Sequence, residues 1–459
     1  MPFKIAIIGG AGYVGLTTGA CLARDSHQVI CLDIDKERVE NLNKGIVPIY
    51  EEGMEVLVHD GLKKGRLVFT TDYKTTIDDS EILFLTLPTP TTDCEADLSY
   101  IFKALPEIAK HMNGYKIIVG KSTVPPGSGD LISQRLRNEL ENVGKNIPFD
   151  YVSNPEFLRQ GSAVQDFLKP DRVVIGAESA HAKRIMDELY YTLKVRGIPI
   201  HVMSILEAET VKYASNAFLA VKISFVNSMA NLCDALALNA YNVLEAWADD
   251  KRIGRSNMHP GPGFGGSCFP KDTEALASFA RKAGVPQDVV EATIAVNRFQ
   301  KTVLPRKVEH YFFEKGLHLK GMTFAVLGLS FKAETDDMRE SSSIDTVNYL
   351  TDRGAKIRAY DPAANQKAKQ WIGDKAVICP SIAETVKDVD AILILTDWNE
   401  FKQLDIKGLT ASCRHKVIFD ARNLFSRSPE KADEIKDLGV DYIGIGTRIL
   451  SGRKGSIIK

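Results

Sequence analysis

The chain has 459 residues, 44% hydrophobic and 25% charged, with 58 basic against 59 acidic side chains and a net charge of −1. That length exceeds one ordinary hydrophobic core and predicts two or three domains, while the even charge argues against a nucleic-acid binder. No apolar run approaches the ~20 residues that span a bilayer, and the opening residues lack a signal peptide's apolar region, so the expected location is the cytoplasm.

In chain order, residues 4–8 read as a buried strand, 15–25 as a helix, 28–33 as a strand and 36–44 as a helix. Further strands are predicted at 82–87, 116–121, 150–153 and 172–175. Such Val/Ile/Leu runs between helical patterns imply a parallel sheet covered on both faces. Residues 207–238 contain no Pro or Gly and keep apolar residues at helical spacing. A helix over that span exceeds ~40 Å, long enough to bridge two domains and form a subunit contact. A second α/β unit starts near Lys320, with strands at 323–329, 356–360, 391–396, 416–419 and 441–445. The fold class is therefore α/β, two Rossmann-like doubly wound parallel-sheet domains joined by a long central helix. The expected boundaries are 1–203, 204–317 and 318–459. The basic, polar tail from Ser451 to Lys459 is expected to be disordered.

Two loops carry chemistry. Gly10-Ala11-Gly12-Tyr13-Val14-Gly15 follows a strand and opens a helix, as in G-x-G-x-x-G, where glycines let backbone N–H groups approach a pyrophosphate at a helix N-terminus. The next strand ends at Asp33, 18 residues beyond Gly15, where a carboxylate binds a ribose hydroxyl and favours NAD over NADP. Arg38 stands nearby, where it weakens that preference or contacts the adenosine side. The alternative is a glycine turn that merely packs strand against helix.

The second loop is Gly261-Pro262-Gly263-Phe264-Gly265-Gly266-Ser267-Cys268-Phe269-Pro270-Lys271-Asp272, with four glycines in its first six residues. A cation near a thiol favours the reactive thiolate; a carboxylate opposes that and can orient water instead. A lone cysteine is ordinarily a small buried hydrophobe, and the flanking glycines and charges point the other way. The seven cysteines form no Cys-x-x-Cys, which argues against a zinc site or redox dithiol.

With both loops in view, the chain resembles the UDP-glucose/GDP-mannose dehydrogenase family over almost its whole length. The resemblance also rests on Leu87-Pro88-Thr89-Pro90, Lys121-Ser122-Thr123-Val124-Pro125 and Ser153-Asn154-Pro155-Glu156-Phe157-Leu158. It continues through Lys212-Tyr213-Ala214-Ser215-Asn216, Arg252-Ile253-Gly254, Gly328-Leu329-Ser330-Phe331-Lys332 and Asp337-Met338-Arg339-Glu340.

The resemblance implies oxidation of a primary alcohol on a nucleotide sugar to a carboxylate, with UDP-glucose as substrate and two NAD used per turnover. It makes Cys268 the thiol that holds the aldehyde as a thiohemiacetal and then a thioester. It places Lys212 and Asn216 one helical turn apart, as cation and amide donor to the reacting oxygen. A solvated helix face is the alternative for that pair. Asp272 resembles the water-orienting carboxylate, and Glu156 and Thr123 the residues that handle the proton and hydrolytic water. Cofactor contacts carried over are Gly10, Gly12, Tyr13, Val14, Gly15, Asp33, Arg38, Thr89, Thr123, Gln160, Lys271 and Arg339. Substrate positions are Glu156, Phe157, Leu158, Arg159, Gln160, Lys212, Asn216, Asn257, Met258, His259, Pro260, Gly261, Gly265 and Lys332. Arg252 resembles an arginine given by a neighbouring subunit, implying a homodimer or larger homo-oligomer. No metal is implied.

Three departures stand out. Gly9 adds a glycine before the dinucleotide loop and is expected to shift the strand end or loosen the loop. Gln160 replaces a second glutamate, leaving Glu156 as the carboxylate for hydrolysis. Glu52 replaces a proline in Tyr50-Glu51-Glu52-Gly53 and reads as a loop change without chemical consequence. The competing readings are the same chemistry on GDP-mannose or UDP-N-acetylmannosamine, and a non-catalytic NAD-binding regulator. An envelope or polysaccharide precursor is the expected product.

Overall fold

Short apolar runs become strands wherever both faces can be covered, and the computed structural model, which describes residues 2–92 and 94–450, contains two such sheets. The chain divides into two units, Met1–Ser215 with Ser278–Ala283, and Asn216–Ala277 with Gly284–Lys459. The expected disordered tail at 451–459 lies outside the described residues.

The first unit holds an eight-stranded sheet: β1 (Lys4–Ile8), β2 (Gln28–Leu32), β3 (Leu67–Thr70), β4 (Ile82–Leu85), β5 (Lys116–Gly120), β6 (Phe149–Ser153), β7 (Val173–Ala177) and β8 (Ile200–Met203). Its order is β8-β7-β6-β5-β4-β1-β2-β3. From β3 to β6 this is the doubly wound arrangement, with its switch point at β1 and β4. Side chains alternate along β1: Ile5 and Ile7 enter one core, Ala6 and Ile8 the other. The sheet is parallel except at one junction, where β7 pairs antiparallel with β6.

The second unit repeats the design with β9 (Thr323–Leu327), β10 (Lys356–Tyr360), β11 (Ala376–Ile378), β12 (Ala391–Ile394), β13 (Val417–Asp420), β14 (Asp441–Gly444) and β15 (Arg448–Ile449). The order β11-β10-β9-β12-β13-β14-β15 again centres the switch on the first strand, and β15 closes the edge antiparallel. The strands absent from the sequence reading (β3, β8, β11 and β15) are sheet-edge strands of two to four residues, too short and too exposed to stand out as central strands.

Helices that carry or adjoin candidate site residues include α1 (Tyr13–Arg24), α2 (Ser128–Asn142), α3 (Ala163–Leu168), α4 (Ile205–Ala235) and α5 (Phe269–Lys282). Helix α1 starts two residues before the expected position because Leu16 N donates to Gly12 O at 2.8 Å, making Gly12 the cap. Helix α4 has 31 residues, about 46 Å at 1.5 Å per residue. It stops before the expected 238 because Ala237 turns left-handed (φ 56°) and Leu238 N reaches back to Cys233 O. No helix among the described residues is long and apolar enough to cross a membrane.

Candidate active site

In the first unit, five neighbouring parallel strands deliver their carboxyl ends to one edge of the sheet. Strand β1 leads into Gly10–Gly15, β2 into Asp33, β4 into Thr89, β5 into Thr123 and β6 into Glu156. Open α/β sheets bind ligands at this edge, beside the switch point.

The glycines of the first loop are required by space. A Cβ on Gly10 would lie 2.6 Å from Cys31 Cβ, and one on Gly15 would overlap Gly9 O. This close packing leaves a bare backbone cradle ahead of the first-turn N–H groups of α1, which suits a pyrophosphate. Asp33 is only half-buried, accepting Ala11 N at 3.0 Å and Asp35 N at 3.1 Å. The residues present therefore fit a dinucleotide with free ribose hydroxyls.

The expected loosening by Gly9 does not occur. Strand β1 ends at Ile8, and Gly9 adopts φ 88°, its N–H bonded to Leu32 O at 2.9 Å. A Cβ there would sit 2.9 Å from Thr86 O. The second sheet repeats the device: Gly328 has φ 97°, donates to Tyr360 O at 2.8 Å and abuts Thr396. Its acid differs, however. Asp361 is fully buried and takes Leu329 N, Ser330 N, Ser330 Oγ, Ala363 N and Ala364 N, whereas Asp33 keeps an accessible face.

Tyr13 does not aim its hydroxyl along the cradle. The hydroxyl donates to Glu51 and accepts from Gly161 N at 3.0 Å. Burial, then the Glu51 bond, pushes this phenol well above its usual range, so it stays a neutral donor. Arg38 projects outward and pairs with Asp35 at 3.2 Å.

Beyond β6, the Glu156 carboxylate accepts Leu158 N at 2.6 Å and meets Lys212 Nζ at 3.2 Å; the same ammonium donates to Glu156 O at 2.6 Å. Lys212 also lies over the Phe157 ring, whose other neighbour is the Arg172 guanidinium at 3.8 Å. Thr89 Oγ1 donates to Thr123 O at 2.8 Å, joining the loops after β4 and β5. Lys212 is 3% exposed and Asn216 6%, which overturns the solvated-face alternative for the pair. Arg159 is exposed and bound to Asp166, and Gln160 is half-buried at the turn that follows.

In the second unit, Cys268 immediately precedes α5, and its carbonyl accepts Asp272 N at 2.8 Å. Asp272, 1% exposed, receives Asn216 Nδ2 and Lys271 Nζ, each at 2.6 Å. The glycine run is shaped by neighbours: Gly263 is left-handed against Asn297, Gly265 abuts Glu340 O, and Gly266 N donates to Arg339 O at 2.8 Å. Arg339 grips Asp337 through paired bonds that raise its pKa, with a further attraction from Cys268. Cys268 thus stands at a helix N-terminus and near the Arg339 cation, which Asp337 in turn partly offsets. Met258, Pro260 and Gly261 are buried, Asn257 is left-handed and exposed, His259 is exposed, and Lys332 is half-buried. Arg252 is exposed and bound to Asp250 at 2.6 Å.

Three residues were missed by the sequence reading. Glu51 is buried beneath the dinucleotide loop. Lys121 is buried, donates to Asn154 Oδ1 at 3.0 Å, and is pushed by burial down to about 8 against the pull of Glu156. Arg422 follows β13, donates to Phe331 O at 2.6 Å and stands against Gly261, at the ligand edge of the second sheet. Its position after a strand end was the available signal.

Comparison with known proteins finds relatives along nearly the whole chain. Residues 3–194 match the NAD binding domain of the UDP-glucose/GDP-mannose dehydrogenase family, 206–299 its central domain and 325–427 its UDP binding domain. The chain belongs to the UDP-glucose/GDP-mannose dehydrogenase family. A UDP-glucose 6-dehydrogenase of Rhizobium meliloti is 41% identical over 96% of this chain and 99% of the relative. One from Bacillus subtilis is 40% identical over 99% and 95%. The structure of a UDP-glucose dehydrogenase from Pyrobaculum islandicum superposes with a TM-score of 0.86 at 35% identity, covering 97% of this chain and 98% of that one. As a member of this family, the chain is an NAD-dependent dehydrogenase acting on a nucleotide sugar.

Proposed function

We propose that the chain oxidises UDP-glucose to UDP-glucuronate with two NAD, through a covalent intermediate on Cys268. The carrying observation is Cys268 at the start of α5, within electrostatic reach of Arg339, in a chain about 40% identical to UDP-glucose 6-dehydrogenases. The bound cofactor supplies the hydride acceptor for each oxidation. This chain's residues do the rest. Lys212 and Asn216 hold the substrate oxygen and stabilise its negative charge. Loss of a hydride and the hydroxyl proton turns the alcohol into an aldehyde; the Cys268 thiolate adds to its carbon and the oxygen takes a proton, giving a thiohemiacetal, and loss of a second hydride and a proton gives the thioester. Asp272 and Thr123 orient the water that cleaves it and Glu156 takes its proton, releasing the carboxylate and restoring the thiol.

In this reading segment 1–203 takes NAD, 204–317 carries the thiol and the subunit contact, and 318–459 takes the UDP moiety. Phe157–Gln160, Asn257–Gly261, Gly265 and Lys332 line the substrate, while Thr89, Lys271 and Arg339 meet the cofactor. The enzyme acts in the cytoplasm as a homodimer or larger homo-oligomer, and the exposure of Arg252 supports its donation to a neighbouring subunit. NADH production from UDP-glucose, GDP-mannose and UDP-N-acetylmannosamine tests the substrate. UDP-glucose should be strongly preferred; preference for another sugar nucleotide overturns the assignment.

A further inference from the structure

Glu51 lies outside every motif that carries the reaction, yet it is 8% exposed, an unusual place for a carboxylate unless its donors are fixed. Three donors meet it. Tyr13 Oη reaches Oε2, Gly161 N donates to the same oxygen at 2.7 Å, and Val164 N reaches Oε1 at 3.3 Å. Gly161 N also donates to Tyr13 Oη, so tyrosine, glutamate and glycine close a triangle.

The ends of this triangle have different duties. Tyr13 is the first residue of α1 and lies within the Gly10–Gly15 loop itself. Gly161 directly follows Glu156–Gln160, and Val164 is in the first turn of α3. Glu52, the adjacent acid, is exposed and takes no part.

We infer that Glu51 is a positioning residue that locks the dinucleotide loop to the segment following Glu156–Gln160, so that ordering either loop orders the other. This rests on the proposed function, in which the first loop holds the dinucleotide and the second the nucleotide sugar. The consequence is reciprocal: each ligand tightens the other through the latch. Charge-assisted bonds to a buried carboxylate are strong enough to carry such coupling.

The test uses the full chain and a pair of ligands that cannot react, NADH and UDP-glucose. NADH affinity is read by fluorescence with and without saturating UDP-glucose, alongside the thermal midpoint. In the unmodified protein UDP-glucose should tighten NADH about fivefold or more. Glu51→Gln and Tyr13→Phe should each reduce that factor to near one, and the double variant should be no worse than the worse single variant. Tyr13→Phe keeps the ring and removes only the hydroxyl, so it decides the matter if Glu51→Gln does not fold. Unchanged coupling in Tyr13→Phe, or no coupling in the unmodified protein while both ligands bind, overturns the latch and leaves the proposed function standing. Unmodified protein that binds NADH but not UDP-glucose instead removes the proposed function, and the coupling with it.

Discussion

Asn216 donates its side-chain amide to Asp272 at 2.6 Å, both groups buried, so the amide's orientation is set by a carboxylate that Lys271 also holds. A fixed donor needs no reorganisation when charge develops on a substrate oxygen. Asn216→Ala should therefore lower kcat by about 10²–10³ with little change in NADH affinity. Steady-state kinetics with direct NADH titration separates the two quantities. A large loss of NADH affinity with kcat preserved would contradict the assignment.

Lys212 and Glu156 form an ion pair with side chains only 4% and 8% exposed. Removing one partner of such a pair leaves a buried charge and costs about 3–5 kcal/mol. Lys212→Met should thus lose stability as well as activity. The double variant Lys212→Met with Glu156→Gln should recover most of the stability while remaining inactive. Urea unfolding of the three proteins measures this, and a double variant as unstable as Lys212→Met alone would contradict it.

Glu209 takes Gly127 N at 2.6 Å and Gly129 N at 2.8 Å, holding the start of α2. Burial nevertheless pushes its carboxyl up to about 7. The folded value exceeds the unfolded one, so the folded state binds more protons between them. Its contribution is full below about pH 4.5 and is lost as pH rises through 7, on the order of 3 kcal/mol. Glu209→Gln should flatten the fall in unfolding free energy between pH 5 and 8. An unchanged slope would count against the shift.

Gly9 and Gly328 occupy matching left-handed positions in the two sheets. An alanine there costs about 1–2 kcal/mol in backbone strain, before any overlap with Thr86 or Thr396. Both Gly9→Ala and Gly328→Ala should lower the thermal midpoint. Only Gly9→Ala should also weaken NADH, because only its loop leads into the cradle. Equal effects on NADH would refute that distinction.

Much of this was legible in the sequence, for reasons that differ by residue. Strands β1 and β12 fall where continuous buried runs predict them, and G-x-G-x-x-G announces its own geometry through steric need. Edge strands such as β8 were not legible, because a half-exposed strand has no apolar run. Lys212 and Asn216 showed their spacing, while their burial is a tertiary fact. Glu51 and Glu52 are chemically alike neighbours, and only packing under the dinucleotide loop selects one as a latch. Gly9 looked like slack because a sequence does not display φ; the structure makes it a fixed turn.

The covalent role of Cys268 is tested most directly by rapid quench of the enzyme with UDP-glucose and NAD, followed by mass analysis of the peptide containing Cys268 and counting of NADH. The expected result is a sugar-nucleotide adduct on Cys268, two NADH per UDP-glucose consumed, and loss of the adduct in Cys268→Ser. One NADH per substrate with a free aldehyde, and no adduct on the unmodified protein, would contradict it.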